Sequence, residues 1–147
     1  MADANYQTYR DLAIRGIEAI PVAIPMLRAI KWARGEINTI DNVIVVITLS
    51  DGTQGIADAP PRPTIYGETQ SSLVTIINDH FAPALAGVNA FDLTRVWSVF
   101  DAIAWNPTAK AALDMALYDA QAKALGVSCA QLLGGTVRPL VVNWRLR

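Results

Sequence analysis

The apolar positions of the chain follow a helical period most clearly between residues 106 and 126. Asn106 is expected to cap this helix, and Pro107 suits its first position, where a missing N–H costs nothing. Gly126 supplies the left-handed conformation that ends many helices. At 100° per residue, one arc of the helix carries mostly small apolar side chains: Ala109, Leu113, Ala116, Leu117, Ala120 and Ala124.

A second apolar strip, formed by Ala111, Met115 and Ala122, runs along another side of the same helix. Two strips predict a helix that packs on two sides, and the alanines of the main arc predict that a neighbouring backbone comes close. A buried helix of an ordinary globular domain is the alternative interpretation. Polar side chains separate the two strips on one side: Lys110, Asp114, Tyr118 and Gln121.

The first 60 residues favour β-strands instead. Residues 41–50 are rich in β-branched side chains, and the Asp-Gly pair after them is typical of a hairpin turn, so residues 53–59 are predicted to return as a strand. Residues 14–25 contain β-branched residues and prolines, which favours an edge strand. The charged, glycine-containing segment 26–39 is interpreted as a loop. The unbroken apolar run 43–47 predicts that both faces of the middle strand are covered.

Helices follow this predicted three-stranded antiparallel meander. A helix is predicted from residue 68 or 69 to Phe81, with a break at Pro83. Asp92 is expected to cap a second helix before the long one. A short helix over residues 128–133 comes next, and residues 139–146 have the pattern of one more strand. The predicted fold class is therefore α+β, with a three-stranded antiparallel meander followed by a helical bundle.

The same pattern predicts the domain organisation. Residues 1–13 are polar and are expected to be flexible. Residues 14–136 form the α+β domain. A single apolar strand after a complete α+β unit has no obvious partner, so residues 137–147 are predicted to begin a different unit.

Composition excludes several classes of function. The chain has 147 residues, of which 52% are hydrophobic, enough for one domain with a core. A net charge of −1 argues against nucleic acid as a partner. No apolar run reaches the ~20 residues that span a bilayer, and no secretory signal is expected at the N-terminus. Cys129 is the only cysteine, which fits a cytoplasmic protein, and it is interpreted as a packing residue.

The sequence contains no complete catalytic or metal-binding motif. His80, the only histidine, is interpreted as a capping or solvated side chain. Asp114 and Asp119 lie roughly 140° apart on the helix, so they cannot hold one metal ion from one face. Each is four residues from a lysine, and the pairs Lys110–Asp114 and Asp119–Lys123 are interpreted as surface ion pairs.

Two segments predicted to be loops carry candidate binding residues. One contains Ile30, Lys31 and Trp32, and the other contains Tyr66 and Glu68. Both join elements of the same small sheet, and binding residues concentrate on loops that a rigid scaffold holds. A solvated loop with one partly buried aromatic residue is an equally good interpretation of either segment.

Residues 109–127, AKAALDMALYDAQAKALGV, form the most specific motif of the sequence. Shorter motifs accompany it: Ser-Asp-Gly at 50–52, Tyr-Gly-Glu at 66–68, Pro-Ala-Leu-Ala-Gly at 83–87 and Gln-Leu-Leu-Gly-Gly at 131–135. Together they resemble the N-terminal capping domain of the enolase superfamily, in the mandelate racemase and muconate lactonizing enzyme group, nearest to the muconate cycloisomerase branch. Ala122 stands where this family usually has glycine, which implies slightly different packing at that position.

The resemblance implies a function that the residues alone do not give. In the family this unit covers the mouth of a β/α barrel, whose bases remove a proton next to a carboxylate while its Mg²⁺ stabilises the ene-diolate that forms. The segments 26–38 and 60–68 would then close on a small carboxylate substrate. The candidate contact residues are Ile30, Lys31, Trp32 and Tyr66.

The resemblance also limits what this chain does alone. A β/α barrel needs ~200–250 residues, and only residues 137–147 match the first barrel strand. No catalytic residue and no metal ligand of the family lies in the chain, so the isolated chain is expected to be inactive and to bind no Mg²⁺. A homo-oligomer is expected for the intact enzyme. The alternative is a stand-alone interaction or self-associating module that docks through its C-terminal strand and alanine-rich helix.

Overall fold

A computed structural model describes residues 11–32, 35–136, 138–139 and 141. Three antiparallel strands form one sheet in the order β1-β2-β3, and helices pack on one of its faces. The strands are β1 (Ile14–Trp32), β2 (Gly35–Leu49) and β3 (Gln54–Ala59). The α+β fold class and the meander followed by helices are therefore confirmed.

The loop predicted over residues 26–39 is wrong, because β1 and β2 stay paired almost to residue 33. Ile30 pairs with Ile37, and the Lys31 ammonium lies 3.2 Å from the Glu36 carboxylate on the opposite strand. The register shifts between Pro25 and Ile30, which interrupts the period of two that would have predicted a strand. We call residues 22–32 and 35–42, which extend past the last β2–β3 pair, the ribbon.

Two prolines of β1 lie where they remove no hydrogen bond from the sheet. The backbone N–H of Ala19 donates to the side chain of Asn78 at 3.1 Å, so it points away from β2. Backbone direction alternates along a strand and the register is unbroken from 19 to 25, so Pro21 and Pro25 have the same orientation. The prediction of an edge strand for this segment is confirmed.

Only one face of the middle strand is fully covered in the part of the chain that the structure describes. Val43, Val45 and Ile47 are 0–1% exposed and face the helices. Ile44 and Val46 point to the other face and are half-buried. The expectation that both faces are covered is therefore wrong for these residues.

The first helical region continues through Pro83, where a break was predicted. Its parts are α1 (Gln70–Ile76), a π-helical turn (Ile77–Phe81) and α2 (Ala82–Leu85). The wider turn lies directly before the proline, and the Ala82 N–H bonds to the Ile77 carbonyl within it. Because a π-helical turn holds one extra residue, the backbone accommodates a proline that a regular helix excludes.

The later helices lie where the sequence predicts them. Asp92 caps α3 (Leu93–Ala102) by accepting the Arg95 N–H at 3.0 Å. The long helix α4 (Pro107–Leu125) ends at Gly126, whose φ is +67°. The last helix, α5 (Cys129–Leu132), begins after the capping residue Ser128. No described helix is long and apolar enough to cross a membrane.

The two apolar strips of α4 have different surroundings. The main arc is buried against β3 and β2, apart from half-buried Ala124. Ala111 and Met115 of the second strip are exposed, with Met115 at 51%. Ala122 is 2% exposed, so it does not belong to the open strip. The prediction of close packing on the alanine arc is confirmed, and the second strip is shorter than predicted.

The ends of the domain are partly described. The Ala90 N–H donates to the Leu12 carbonyl at 2.8 Å and Ala13 forms a bridge with Asn89, so both residues of the predicted N-terminal segment join the sheet edge. Residues 138, 139 and 141 have no helix or strand. The rest of the predicted C-terminal strand, and residues 1–10, lie outside the described residues.

Candidate functional site

A buried carboxylate anchors the segment that follows the sheet. The Glu68 side chain is 5% exposed and accepts the backbone N–H groups of Thr108 at 3.1 Å and Ala109 at 3.3 Å. These N–H groups belong to the first turn of α4, where no helical carbonyl is available to them. Glu68 therefore caps α4 from a segment that is distant in sequence. Its negative charge also interacts favourably with the positive end of the helix dipole.

Asn106 does not cap α4, so that prediction is wrong. Its φ is +57° and its side-chain amide donates to the Ala104 carbonyl at 2.9 Å instead. Trp105, directly before it, also has a positive φ, +59°, and is 89% exposed. The left-handed entry to α4 leaves its first N–H groups open for Glu68.

The anchored segment carries a tight turn. The Arg62 carbonyl accepts the N–H groups of Ile65 at 2.9 Å and Tyr66 at 2.7 Å. This turn holds the Tyr66 side chain outward, 57% exposed. We call residues 61–68 the anchored loop, since a hydrogen-bonded turn and the Glu68 cap both fix it to the domain.

Tyr66 borders an open apolar groove on the surface of α4. The exposed Ala111 and Met115 form its wall on the helix, and Pro60 lies beside them. This Tyr66 groove is the place where the open strip of α4 and the anchored loop meet.

A second depression lies between the ribbon and the anchored loop. Its volume is about 330 Å³. The ribbon contributes Ile37, Thr39, Ile40 and Asp41, whereas the loop and the start of α1 contribute Pro61, Arg62, Pro63, Thr64, Thr69 and Gln70. We call it the ribbon–loop cavity. Gln70, at the start of α1, connects the two walls by hydrogen bonds to the ribbon. Its amide nitrogen donates to the carbonyls of Val22 at 2.9 Å and Asn42 at 2.8 Å.

The candidate contact residues from the sequence do not converge on one cavity. Ile30 is 58% exposed on the ribbon, and Lys31 beside it is paired with Glu36. Of Trp32 the structure describes only the backbone, at the end of β1. Tyr66 lines the Tyr66 groove, and neither it nor Ile30 lines the ribbon–loop cavity.

Sequence reasoning did not select Arg62 or Gln70 as site residues. Arg62 is the only cation in the segment 60–68, and this was the available signal. Gln70 has no such signal in the sequence, because its role depends on two strand carbonyls that are distant in sequence.

The two aspartates of α4 differ in their surroundings. Asp119 accepts the Ile56 N–H at 2.9 Å and pairs with Lys123 at 2.6 Å, which links the helix to the edge strand β3 and confirms that predicted pair. The predicted pair of Asp114 with Lys110 does not form among the described residues. One Asp114 oxygen is buried without a hydrogen-bond partner, and burial raises the pKa of this carboxyl.

The described residues do not fit a magnesium site. No three His, Cys, Asp or Glu side chains converge within them. His80 is exposed, and Cys129 is half-buried with its Sγ 3.8 Å from the Tyr118 carbonyl. Neither residue is placed for metal binding with the aspartates.

Residues 16–134 match the family model of the mandelate racemase/muconate lactonizing enzyme N-terminal domain. The chain is 34% identical over 139 residues to the chloromuconate cycloisomerase of Cupriavidus pinatubonensis, covering 92% of this chain and 37% of that enzyme. It is also 34% identical over 120 residues to the L-Ala-D/L-Glu epimerase of Bacillus subtilis, covering 81% and 33%.

Comparison with solved structures leads to the same family. A muconate lactonizing enzyme from Pseudomonas fluorescens, complexed with muconolactone, superposes with a TM-score of 0.80 at 32% identity. The match covers 87% of this chain and 35% of that structure. The chain thus spans about a third of the length of the proteins it matches.

Proposed function

The chain belongs to the mandelate racemase and muconate lactonizing enzyme family, and we propose that it is the substrate-capping part of an enzyme that removes a proton next to a carboxylate. Its relatives include several cycloisomerases of muconate and chloromuconate, which favours that branch of the family. The relatives also include epimerases of dipeptides, so the reaction is proposed at the level of proton abstraction with an enolate intermediate.

The observation that carries the proposal is that the ribbon and the anchored loop face each other across one cavity. These are the two segments in which the candidate contact residues lie. Both are held by the same rigid body, the loop by Glu68 and the ribbon base by Gln70. Such an arrangement suits a cap, because a cap must present its contacts in a fixed geometry.

The large side chains on these segments have a distinct role in the proposal. Ile30, Trp32 and Tyr66 are residues with mostly apolar surface, so they would exclude water when they close on a substrate. Water exclusion strengthens the electrostatic interactions of the reacting groups. The charge of Lys31 is partly neutralised by Glu36, so this lysine would contact a polar part of the substrate without adding a full positive charge.

The Tyr66 groove is proposed as part of the surface that rests on a catalytic barrel. Exposed apolar side chains that line one groove, as Ala111 and Met115 do, indicate a surface that another unit covers. The bases and the Mg²⁺ site would belong to that barrel, and the chain alone is proposed to be inactive. A cytoplasmic location and a homo-oligomeric state are proposed with the same family role.

The alternative of a stand-alone docking module depends on the C-terminal strand, most of which lies outside the described residues, and on the alanine-rich helix. The main arc of that helix is buried inside the domain, and Ala111 and Met115 are what remains of its apolar strips on the surface. Sizing by light scattering separates the proposals, because a module that self-associates forms dimers without any barrel.

The test compares two proteins. One is the 147-residue chain, and the other is a fusion of this chain to the part of the Cupriavidus pinatubonensis chloromuconate cycloisomerase that follows the region it matches. Each is incubated with Mg²⁺ in D₂O with cis,cis-muconate or L-Ala-L-Glu, and lactone formation or α-proton exchange is followed by ¹H NMR. We expect turnover only from the longer protein. Exchange by the short chain, or no turnover of either acid by the longer protein, would contradict the proposal.

A further inference from the structure

The ribbon leaves the three-stranded sheet at the pair formed by Val22 and Asn42. The last pair between β2 and β3 is Val43 with Ala59, so β1 and β2 continue from there as two strands. Ile24, the next even-numbered residue of β1, is already 54% exposed. A two-stranded hairpin with little burial is only marginally stable by itself. The position of the ribbon therefore depends on the contacts at its base.

The side-chain amide of Gln70 is bound at this base. Its nitrogen donates to the carbonyl of Val22 at 2.9 Å and to that of Asn42 at 2.8 Å. These two residues are partners in the register, so the amide contacts both strands at the same level. Each carbonyl oxygen has two lone pairs, and it can accept the Gln70 amide in addition to a bond of the β ladder. One side chain thus fixes both strands of the ribbon.

A second contact joins the same level of the ribbon to β3. The Asn42 amide nitrogen donates to both carboxylate oxygens of Asp58, at 2.8 Å each. This contact is exposed and holds β2 alone, whereas Gln70 is half-buried and holds both strands. Because water competes less for a half-buried donor, the Gln70 contact is expected to contribute more to holding the ribbon.

Gln70 also connects the ribbon to the anchored loop. It lies two residues after Glu68, whose carboxylate accepts the Thr108 N–H at the start of α4. Thr69, between them, caps α1 by accepting the Ser72 N–H at 3.1 Å. The backbone of Gln70 is therefore fixed from both sides, and a donor on a fixed backbone loses little conformational freedom when it binds. The distance between the ribbon and the loop is set through this side chain.

We infer that Gln70 is a positioning residue that holds the ribbon at a fixed distance from the anchored loop. Side chains of both segments then reach the same bound substrate. The effect on substrate binding rests on the proposed capping function, whereas the hold on the ribbon is measured without turnover. Gln70 acts through the two strands and leaves contact with the substrate to other residues.

Three substitutions of Gln70 separate hydrogen-bond donation from side-chain shape. Gln70→Glu keeps the shape but places an acceptor opposite two carbonyl acceptors. Gln70→Met keeps a similar length and removes the amide. Gln70→Lys changes the shape and restores donors of similar reach. The matched control is Gln54→Glu, because Gln54 is exposed and its amide donates to the Thr48 hydroxyl at the opposite end of the sheet.

NMR ¹⁵N relaxation of the 147-residue chain measures the order of the ribbon. The reporters are the backbone N–H groups of Ile24 and Ile40, which are paired beyond the base, and Val45 in the three-stranded part is the reference. In the wild type all three should have order parameters of about 0.85. Gln70→Glu and Gln70→Met should lower the two ribbon values to about 0.6 and leave Val45 unchanged. Gln70→Lys and Gln54→Glu should stay close to the wild type.

Steady-state kinetics of the fusion defined above measure the consequence for substrate binding. Only molecules with the ribbon in position bind the substrate well, so a tenfold fall in their fraction raises KM about tenfold and leaves kcat similar. This result is expected for Gln70→Glu and Gln70→Met with either acid that the fusion converts. Gln70→Lys should recover most of the affinity, and Gln54→Glu should not change KM.

The outcomes separate the inference from the proposed function. Equal ribbon order parameters in the wild type and Gln70→Glu overturn the hold of Gln70 on the ribbon. Order that is kept in Gln70→Glu and lost in Gln70→Lys also overturns it, because shape would then matter more than donation. Lower order with an unchanged KM overturns the positioning of substrate contacts. A wild-type fusion without turnover contradicts the proposed function and that positioning role together, while the relaxation data still decide whether Gln70 holds the ribbon.

Discussion

The α-carbon of Gly55 on β3 lies directly against the backbone of Ala116 on α4. A β-carbon on Gly55 would be 1.9 Å from the Ala116 carbonyl oxygen and 2.5 Å from the Ala120 nitrogen. Both atoms belong to the backbone, so no side-chain rotation relieves the overlap. The glycine on the strand and the alanines on the helix together set the distance between sheet and helix.

Gly55→Ala is therefore expected to lower the free energy of unfolding by about 2–4 kcal/mol, since overpacking here must displace a helix. Urea denaturation followed by circular dichroism measures the change. Gly16→Ala is the matched control, because a β-carbon there meets no atom within 4 Å. Its effect should stay within about 0.5 kcal/mol. Equal effects of the two substitutions would show that the close contact is relieved without cost.

Glu68→Ala is expected to destabilise the protein by about 1–2 kcal/mol, because two N–H groups at the start of α4 lose their acceptor. Glu68→Gln keeps one acceptor oxygen and removes the charge, so its loss should be about half as large. Thermal unfolding measures both. Glu36→Gln, which removes only an exposed ion pair with Lys31, serves as the control with a loss below about 0.5 kcal/mol. A loss from Glu68→Ala no larger than that of the control contradicts the capping role.

Trp105→Gly is expected to raise the free energy of unfolding by about 0.5–1 kcal/mol. Trp105 has a φ of +59°, which is strained for a bulky residue, and its side chain is 89% exposed. Relief of this strain should exceed the entropy that glycine adds to the unfolded chain. Asn106→Gly should gain less, because asparagine tolerates this conformation and its side-chain bond to Ala104 is lost. A stability loss in Trp105→Gly would reveal contacts that hold the indole in place.

Asp114→Asn is expected to stabilise the protein at neutral pH. Burial raises the pKa of Asp114 above its ordinary value of 3.8, so the folded state binds this proton more tightly than the unfolded state. The resulting stabilisation is present below 3.8 and is lost as the pH rises through the raised pKa. The variant and the wild type should therefore converge in acid and separate above that range.

Thermal unfolding measured at a series of pH values tests this expectation. Asp101→Asn, an exposed aspartate on α3, is the control and should follow the wild type at every pH. A variant that is less stable than the wild type at neutral pH would mean that the charged form of Asp114 is the favoured one.

The sequence predicted those parts of the fold that depend on neighbouring residues. The long helix, its glycine end and the Asp92 cap all follow from signals within a few positions, and all are present. The alanine arc predicted a close neighbour, and Gly55 is that neighbour. Residue identity alone was sufficient to predict this close approach, because a buried helix face made of small side chains leaves room for another backbone.

The parts that sequence reasoning missed depend on distant partners. Residues 26–39, which form most of the ribbon, have the sequence pattern of a loop because a register shift between Pro25 and Ile30 hides their alternation. The sequence predicts Asn106 as the cap of α4, but the acceptor comes from Glu68, which lies 40 residues before Thr108. The ribbon–loop cavity likewise lies between two segments whose approach no local sequence pattern indicates, so the sequence does not mark Arg62 and Gln70 as residues that line it.

The orientation of Pro21 and Pro25 has a consequence for molecules that meet in concentrated solution. A free sheet edge offers N–H groups on which the strand of another molecule can assemble, and repeated addition of this kind leads to fibrils. Pro21 and Pro25 have no N–H, so two of those donors are missing along the outer edge of β1. The hydrogen bonds between β1 and β2 are unaffected, because these positions face away from β2. The missing donors make the outer edge of β1 a poorer template for edge-to-edge aggregation, although part of this strand extends into solvent in the ribbon.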